Sequence, residues 1–319
     1  MPPRALPTIR SGCSLVMAAA LLTCLCGCPP RTTNNIVLEP VPMADLITKV
    51  NANHAKVTAT LKAVGGHARG VFTDTDGSKR RFDLDAALLV RPPRDLRLDL
   101  KALLESQLVF GSNATKYWVE QPGAHALSYG RHDTMLVPNA GDLIIRPDLF
   151  VEALGLTPLP SETAGDGGPF QRITKPYQEL LFIDYQENGQ GYIAKEYWVS
   201  RREPQLVARI VFRDTLGRIA LESEISDYRR LGDDGPYLPH RVRLSAPVTG
   251  SWLEFTAWGW KLMPNVGPDH PAFTFPLDRG AQFERIVDLD VELDQMHHPF
   301  TEEEQLQQLL TPPQNQPEP

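Results

Sequence analysis

Strict alternation constrains this chain more than any other feature of its sequence. In "DLRLDLK" (95–101) Leu96, Leu98 and Leu100 point one way and Asp95, Arg97 and Asp99 the other. In "QLVARIVFRD" (205–214) Leu206, Ala208, Ile210 and Phe212 oppose Arg209 and Arg213. Successive side chains of a strand leave opposite faces of the sheet, so each run has one dry face and one wet face. Similar runs are "ATKYWVEQ", "LLFIDYQ", "GYIAKEYWVS", "RIALESEISDY", "PHRVRLSA" and "SWLEFTAWGWKL", separated by "ENGQG", "DTLGR", "GDDGP" and "VTGS". About ten strands with short turns predict an antiparallel meander. Such a sheet must curl, and its dry concave face has to be filled by side chains, helices or a ligand.

Helical periods are few. In "MADLITKVNANHA", Met43, Leu46, Ile47 and Val50 share one face. "RPDLFVEALG" predicts a second helix, with Pro147 in its first turn, Gly155 as its stop, and Leu149, Phe150, Ala153 and Leu154 on one face. "TEEEQLQQLL" (301–310) predicts a third, with Thr301 and Glu304 at capping-box spacing. Residues 156–169, "LTPLPSETAGDGGP", read as a surface loop, and no repeat suggests a propeller or solenoid. "SKRRF" (78–82) beside Asp-Gly reads as a solvated hairpin tip. A formal charge of −7 without a basic stripe argues against nucleic-acid binding.

All four cysteines, Cys13, Cys24, Cys26 and Cys28, lie near the N-terminus, so the rest of the chain holds no disulfide or thiolate metal site. Arg4 and Arg10 precede the apolar run "SLVMAAALLTCL" (14–25), which is too short to span a bilayer but suits the apolar core of an export signal. The run ends in Leu25-Cys26-Gly27-Cys28, which resembles the lipobox of bacterial lipoproteins. That resemblance implies diacylglyceryl and N-acyl groups on Cys28, cleavage before it, and no other cofactor. Cys24 fits less well, because "LLT" lacks the Gly or Ala before the acceptor, and no second Cys or His cluster supports a zinc site. Cleavage would remove Arg4 and Arg10 and no acid, taking the charge from −7 to −9. Two or three acyl chains would anchor the protein stably, whereas one would not.

The expected organisation is a signal peptide (1–27), a lipidated Cys28 and flexible tether (28–42), one folded domain (43–295), and a short helix with a Pro-rich tail (296–319). Two stretches of the domain carry a family resemblance. One is "LLVRPPRDLRLDL…QLVFGSNATKYWVEQPGAHALSYG" (88–130), with Arg-Pro, an alternating strand, a Gly turn and an aromatic strand. The other is "SEISDYRRLGDDGPYLPHRVRLSAP" (223–247), with Tyr228 ending a strand, an acidic Gly turn and Leu-Pro before the next. Together they resemble the LolA/LolB-like carriers and receptors of bacterial lipoproteins. The resemblance implies a mainly β fold with a few helices: an unclosed antiparallel half-barrel lidded by α-helices. It also implies binding of lipid or lipoprotein acyl chains without catalysis, and a periplasmic domain anchored to the inner or outer membrane.

A dry concavity can hold acyl methylenes at about 0.8 kcal/mol each. The inward candidates are Leu96, Leu98, Leu100, Trp118, Ile210, Phe212, Trp258 and Trp260. For each, plain core packing gives the same period as ligand contact, so both readings stand. The LolB-type receptor exposes a Leu on an early loop, and "KALLESQ" offers Leu103 and Leu104 in a comparable place. Segment 138–176 and the tail beyond 280 look like additions to the family's domain.

No catalytic signature stands out: G-x-S-x-G, H-E-x-x-H, GxxxxGK[ST] and GxGxxG are absent. His297-His298 and Asp269-His270 read as turns, the first lacking a third ligand and the second a nucleophile. A scaffold lipoprotein with an ordinary core and a protein partner is the competing reading, and a hydrolase using His240 or His270 is a distant third.

Overall fold

The alternating runs form strands. The computed structural model describes residues 39–73, 77–132, 147–160, 169–186 and 188–290. The expectations for the signal peptide, Cys28, the helix at 301–310 and His297-His298 lie outside these residues, as does most of the tether. In chain order come α1 (Met43–His54), β1 (Thr60–Ala63), β2 (Gly66–Thr73), β3 (Lys79–Arg91), β4 (Asp95–Ala102), β5 (Glu105–Ser112), β6 (Lys116–Gln121) and β7 (Ala126–Arg131). Then follow α2 (Pro147–Ala153), β8 (Phe170–Ile173), β9 (Tyr177–Tyr185), β10 (Gly191–Ser200), β11 (Val207–Arg213), β12 (Ile219–Arg230), β13 (Tyr237–Ala246), β14 (Ser251–Ala257), β15 (Trp260–Met263) and β16 (Arg285–Asp288).

These strands make one unclosed sheet of 16, larger than the ten that periodicity shows. Its path is β16-β7-β6-β5-β4-β3-β2-β14-β13-β12-β11-β10-β9-β8. Two meanders, β2 to β7 and β8 to β14, are therefore joined where β2 pairs β14. One pairing departs from the expected antiparallel pattern: β16 runs parallel to β7.

β1 and β15 pair with each other and continue the line of β2 and β14 beyond a shared kink. Val64 N donates to Gly259 O at 2.8 Å and Trp258 N to Gly65 O at 3.1 Å, while Gly65 turns the chain at φ +78°. A Cβ on Gly65 would stand 2.4 Å from the Trp258 ring, so this position needs glycine twice over, for its dihedral and for the indole laid on it.

The convex face is pinned by charge. Arg209, Glu224, Arg243, Glu254, Arg69 and Asp83 lie directly opposite one another on β11, β12, β13, β14, β2 and β3, so the sign alternates from strand to strand. Opposite charges across a pair stabilise it, and a slip of one residue would drive these charges into the core. Arg69 and Arg241 reach Glu254 at 2.7 and 3.1 Å. Burial alone would raise the Glu254 carboxyl, but the hydrogen bonds from Arg69 and Arg241 outweigh it and hold the group below its ordinary range. The guanidiniums of Arg209 and Arg243 each lie 4.4 Å from an indole, of Trp198 and Trp252 respectively.

β6 is covered on both faces. Val119 joins the main core, while Trp118 leaves the opposite face and packs with Leu127 and Phe275. Gly111 lies across from Trp118, and a Cβ there would sit 2.0 Å from the indole. Gly111→Ala is expected to cost about 1–3 kcal/mol of stability through this collision. A urea melt reads it, and an unchanged midpoint would show that the indole can move aside.

Candidate functional site

The concave face is built by alternation. Leu96, Leu98 and Leu100 on β4 lie between Val90, Leu88 and Ala86 on β3 and the β5 residues Ser112, Phe110 and Leu108. Across the sheet, Ile210 and Phe212 on β11 join Tyr197 and Val199 on β10 and Leu221 and Ile225 on β12 in the same cluster. Leu96, Leu98, Leu100 and Phe212 are 0 % exposed and Ile210 is 1 % exposed. Trp260 is also buried, its Nε1 donating to Pro239 O at 2.8 Å.

Two helices fill this face. α1 contributes Leu46, Ile47 and Val50, as its spacing predicts. α2 contributes Phe150, Val151 and Ala153, followed by Leu154, Leu156 and Leu159. The segment that looked like an addition to the fold therefore supplies part of its core.

α2 has seven residues and bridges the two halves of the sheet. It lies against β4, β5 and β6 on one side. On the other, Glu152 receives Lys195 Nζ at 2.9 Å on each carboxylate oxygen and also the Tyr197 hydroxyl. Ser223 Oγ donates to Ala153 O at 2.5 Å. Burial, and then the negative charge of Glu152, push the Tyr197 phenol well above its ordinary range, so it stays a proton donor to that carboxylate. Polar bonds and apolar packing thus hold the same short helix.

Two of the predicted inward residues are not there. Trp118 points from the convex face, as above, because β6 buries both faces and alternation then cannot tell inside from outside. Trp258 is 63 % exposed. It has the parity of Trp252, Glu254 and Thr256 on the convex face, and the kink at Trp258-Gly259 resets alternation so that Trp260 turns inward.

Leu103 and Leu104 form the two-residue loop between β4 and β5, 95 % and 91 % exposed, with φ of +48° and +81°. Two positive φ values in such a loop ordinarily call for Asn-Gly or Gly-Gly. A leucine in this region costs about 1–2 kcal/mol. Leu103→Asn with Leu104→Gly is therefore expected to raise stability by about 1–2 kcal/mol in a thermal melt. A lower melting temperature would show that the leucines pack on something in the free protein.

The convex face carries a cleft of about 380 Å³ lined by Glu224, Ser226, Arg241, Arg243 and Glu254, too polar for acyl chains. His240 Nδ1 is 2.9 Å from Ala257 O, and His270 Nδ1 accepts from Ala272 N at 3.1 Å, so each is used by the backbone. Among the described residues no three His, Cys, Asp or Glu gather as a metal site, and no helix is long and apolar enough to cross a membrane.

Fold and site together define an open-sheet β protein with a helix-filled concavity. No family model matches the chain, and no curated protein matches it. Among solved structures it is similar to a DUF1329 family protein from Desulfovibrio piger ATCC 29098, at 10% identity and a TM-score of 0.46 over 74% of this chain and 100% of that one. It is similar also to a LolA superfamily protein from Nitrosomonas europaea, at 12% identity and 0.44, over 74% and 99% of the two chains. A third is a domain from Vibrio parahaemolyticus described as outer membrane lipoprotein-sorting, at 9% and 0.40, over 70% and 95%. Identities of this order leave the side chains uncompared.

Proposed function

We propose that this chain is a lipid-anchored protein of the cell envelope that takes acyl chains of a lipid or lipoprotein into its half-barrel. It acts as a binding protein rather than an enzyme, with Cys28 as the attachment point. The supporting observation is α2. A seven-residue helix is marginal by itself in water, so its fold depends on docking. Its side chains Phe150 and Val151, with Leu154 just after it, are buried in the same cluster as Leu96, Leu98 and Leu100, and the helix lies against β4. Moving it aside would expose a continuous apolar surface, which acyl methylenes could cover in its place at about 0.8 kcal/mol each.

Native mass spectrometry of soluble Cys28→Ala protein, purified without detergent, tests this reading. It should carry noncovalent lipid, and Glu152→Gln, which weakens the hold of Lys195 and Tyr197 on α2, should carry more. A scaffold with an ordinary core is the second reading, favoured by the complete burial of the inward leucines. Lipid-free protein in both forms would select it.

A further inference from the structure

A cation stands on the apolar inner face of the sheet. Lys195 on β10 is paired in register with Phe182 on β9 and Phe212 on β11, and Tyr197 beyond it with Leu180 and Ile210. All four partners belong to the concave cluster or pack against it. β10 slips by one residue against β9 between Ile193 and Lys195, and a bulge of this kind re-aims the side chains that follow it. Lys195 Nζ lies 5.5 Å from the centre of the Phe212 ring. Its side chain is 37 % exposed, while Tyr197 is buried. Phe212 is one residue from the end of β11, so Lys195 sits at the rim of the trough and Tyr197 further in.

Among the described residues, the carboxylate that meets this cation is Glu152, carried by α2 and not by the sheet. The acid next to Lys195 on β10, Glu196, leaves the other face, where Arg172 and Arg213 hold it. Glu152 takes Lys195 Nζ at 2.9 Å on each oxygen and the Tyr197 hydroxyl besides. When α2 moves off, Lys195 and Tyr197 lose their acceptor together. Leaving such donors without an acceptor against an apolar surface costs more than their bond contributed. An acyl chain alone covers the leucines and leaves that cost in place. An acyl chain that ends in an anion removes both.

We infer that Lys195 and the Tyr197 hydroxyl form a head-group subsite of the acyl trough, that it takes the carboxylate or phosphate of a single-chain lipid, and that Glu152 fills it in the lipid-free protein as a built-in competitor. The inference rests on acyl uptake under α2 and adds the ligand's class to it. The acyl chain follows Phe212 and Ile210 inward, into the volume α2 leaves, and the head group stays at the rim, where Lys195 meets water. An anionic oxygen there reproduces the bonds Glu152 makes, and charge-assisted bonds of this type are the short, strong ones.

Lipids that share a palmitoyl chain and differ in head group test this on the soluble Cys28→Ala protein, below their micellar concentrations: palmitate, palmitoyl lysophosphatidate and monopalmitoylglycerol. An anionic lipid should bind roughly tenfold tighter than the neutral glyceride, and the tighter of the two anions tells a fatty acid from a lysophospholipid. Lys195→Gln should bring that ratio close to one, and Tyr197→Phe should reduce it. Glu152→Gln should tighten all the lipids, because the competitor is gone, and keep the ratio. A Lys195 that served only to hold α2 would behave differently, since Lys195→Gln would then tighten anionic and neutral lipids alike. Circular dichroism should show the variants folded, and the ratio measured with the site intact needs no variant. Equal affinity for all the lipids with the site intact, or an unchanged ratio in Lys195→Gln, overturns the inference and leaves acyl uptake standing. No binding of any lipid overturns both.

Discussion

Leu98→Ala is expected to lower the unfolding free energy by about 2–5 kcal/mol in urea denaturation. Leu98 is fully buried, flanked in register by Leu88 and Phe110, and packed in the cluster that contains the α1 and α2 side chains. Truncation removes about three methylene-equivalents of burial and leaves a hole that the rigid sheet closes only in part. A loss under about 1 kcal/mol would mean that the trough is loosely filled already, since only poorly packed positions tolerate such a change. The same substitution should favour uptake of a short acyl chain, because a ligand can refill the hole.

Acidification should destabilise the protein through one residue in particular. His54, in the last turn of α1, is buried, its Nδ1 has no hydrogen-bond partner among the described residues, and burial lowers its pKa to about 4 from 6.5. The unfolded chain takes a proton as pH falls through 6.5, and the folded chain resists until about 4. The stability this residue contributes is therefore full above pH 6.5, declines between 6.5 and 4, and is gone below that. The difference amounts to about 3 kcal/mol. His54→Leu should flatten that part of the stability profile relative to wild type. Parallel profiles for the two proteins would show that His54 titrates freely in the folded state.

How much of this was legible in sequence varies from element to element. The row Leu96, Leu98, Leu100 and the pair Ile210, Phe212 follow from period two, because each strand there has one wet face. Trp118 does not, because its cover comes from Phe275, far along the chain, and local alternation carries no trace of it. β1, β8, β15 and β16 have four residues each, too few for a period, so the sheet looked smaller than it is. Pro147 and Gly155 marked α2 correctly, yet its partners Lys195 and Tyr197 lie 43 and 45 residues away. Nothing local announces that the helix fills the concavity. The loop at Leu103-Leu104 lacks the Asn-Gly signature of its geometry, and the resemblance alone singled it out.

The central claim is that α2 occupies an acyl site and yields it to lipid. Hydrogen exchange of the α2 backbone, with and without a single-chain palmitoyl lysophospholipid, reads this directly. Leu154 N donates to Phe150 O at 2.8 Å and Gly155 N to Glu152 O at 2.8 Å, so both amides are protected while the helix is docked. The account predicts faster exchange across 150–156 when lipid is bound, with β4 still protected. Bound lipid with α2 unchanged, or no binding at all, would contradict it.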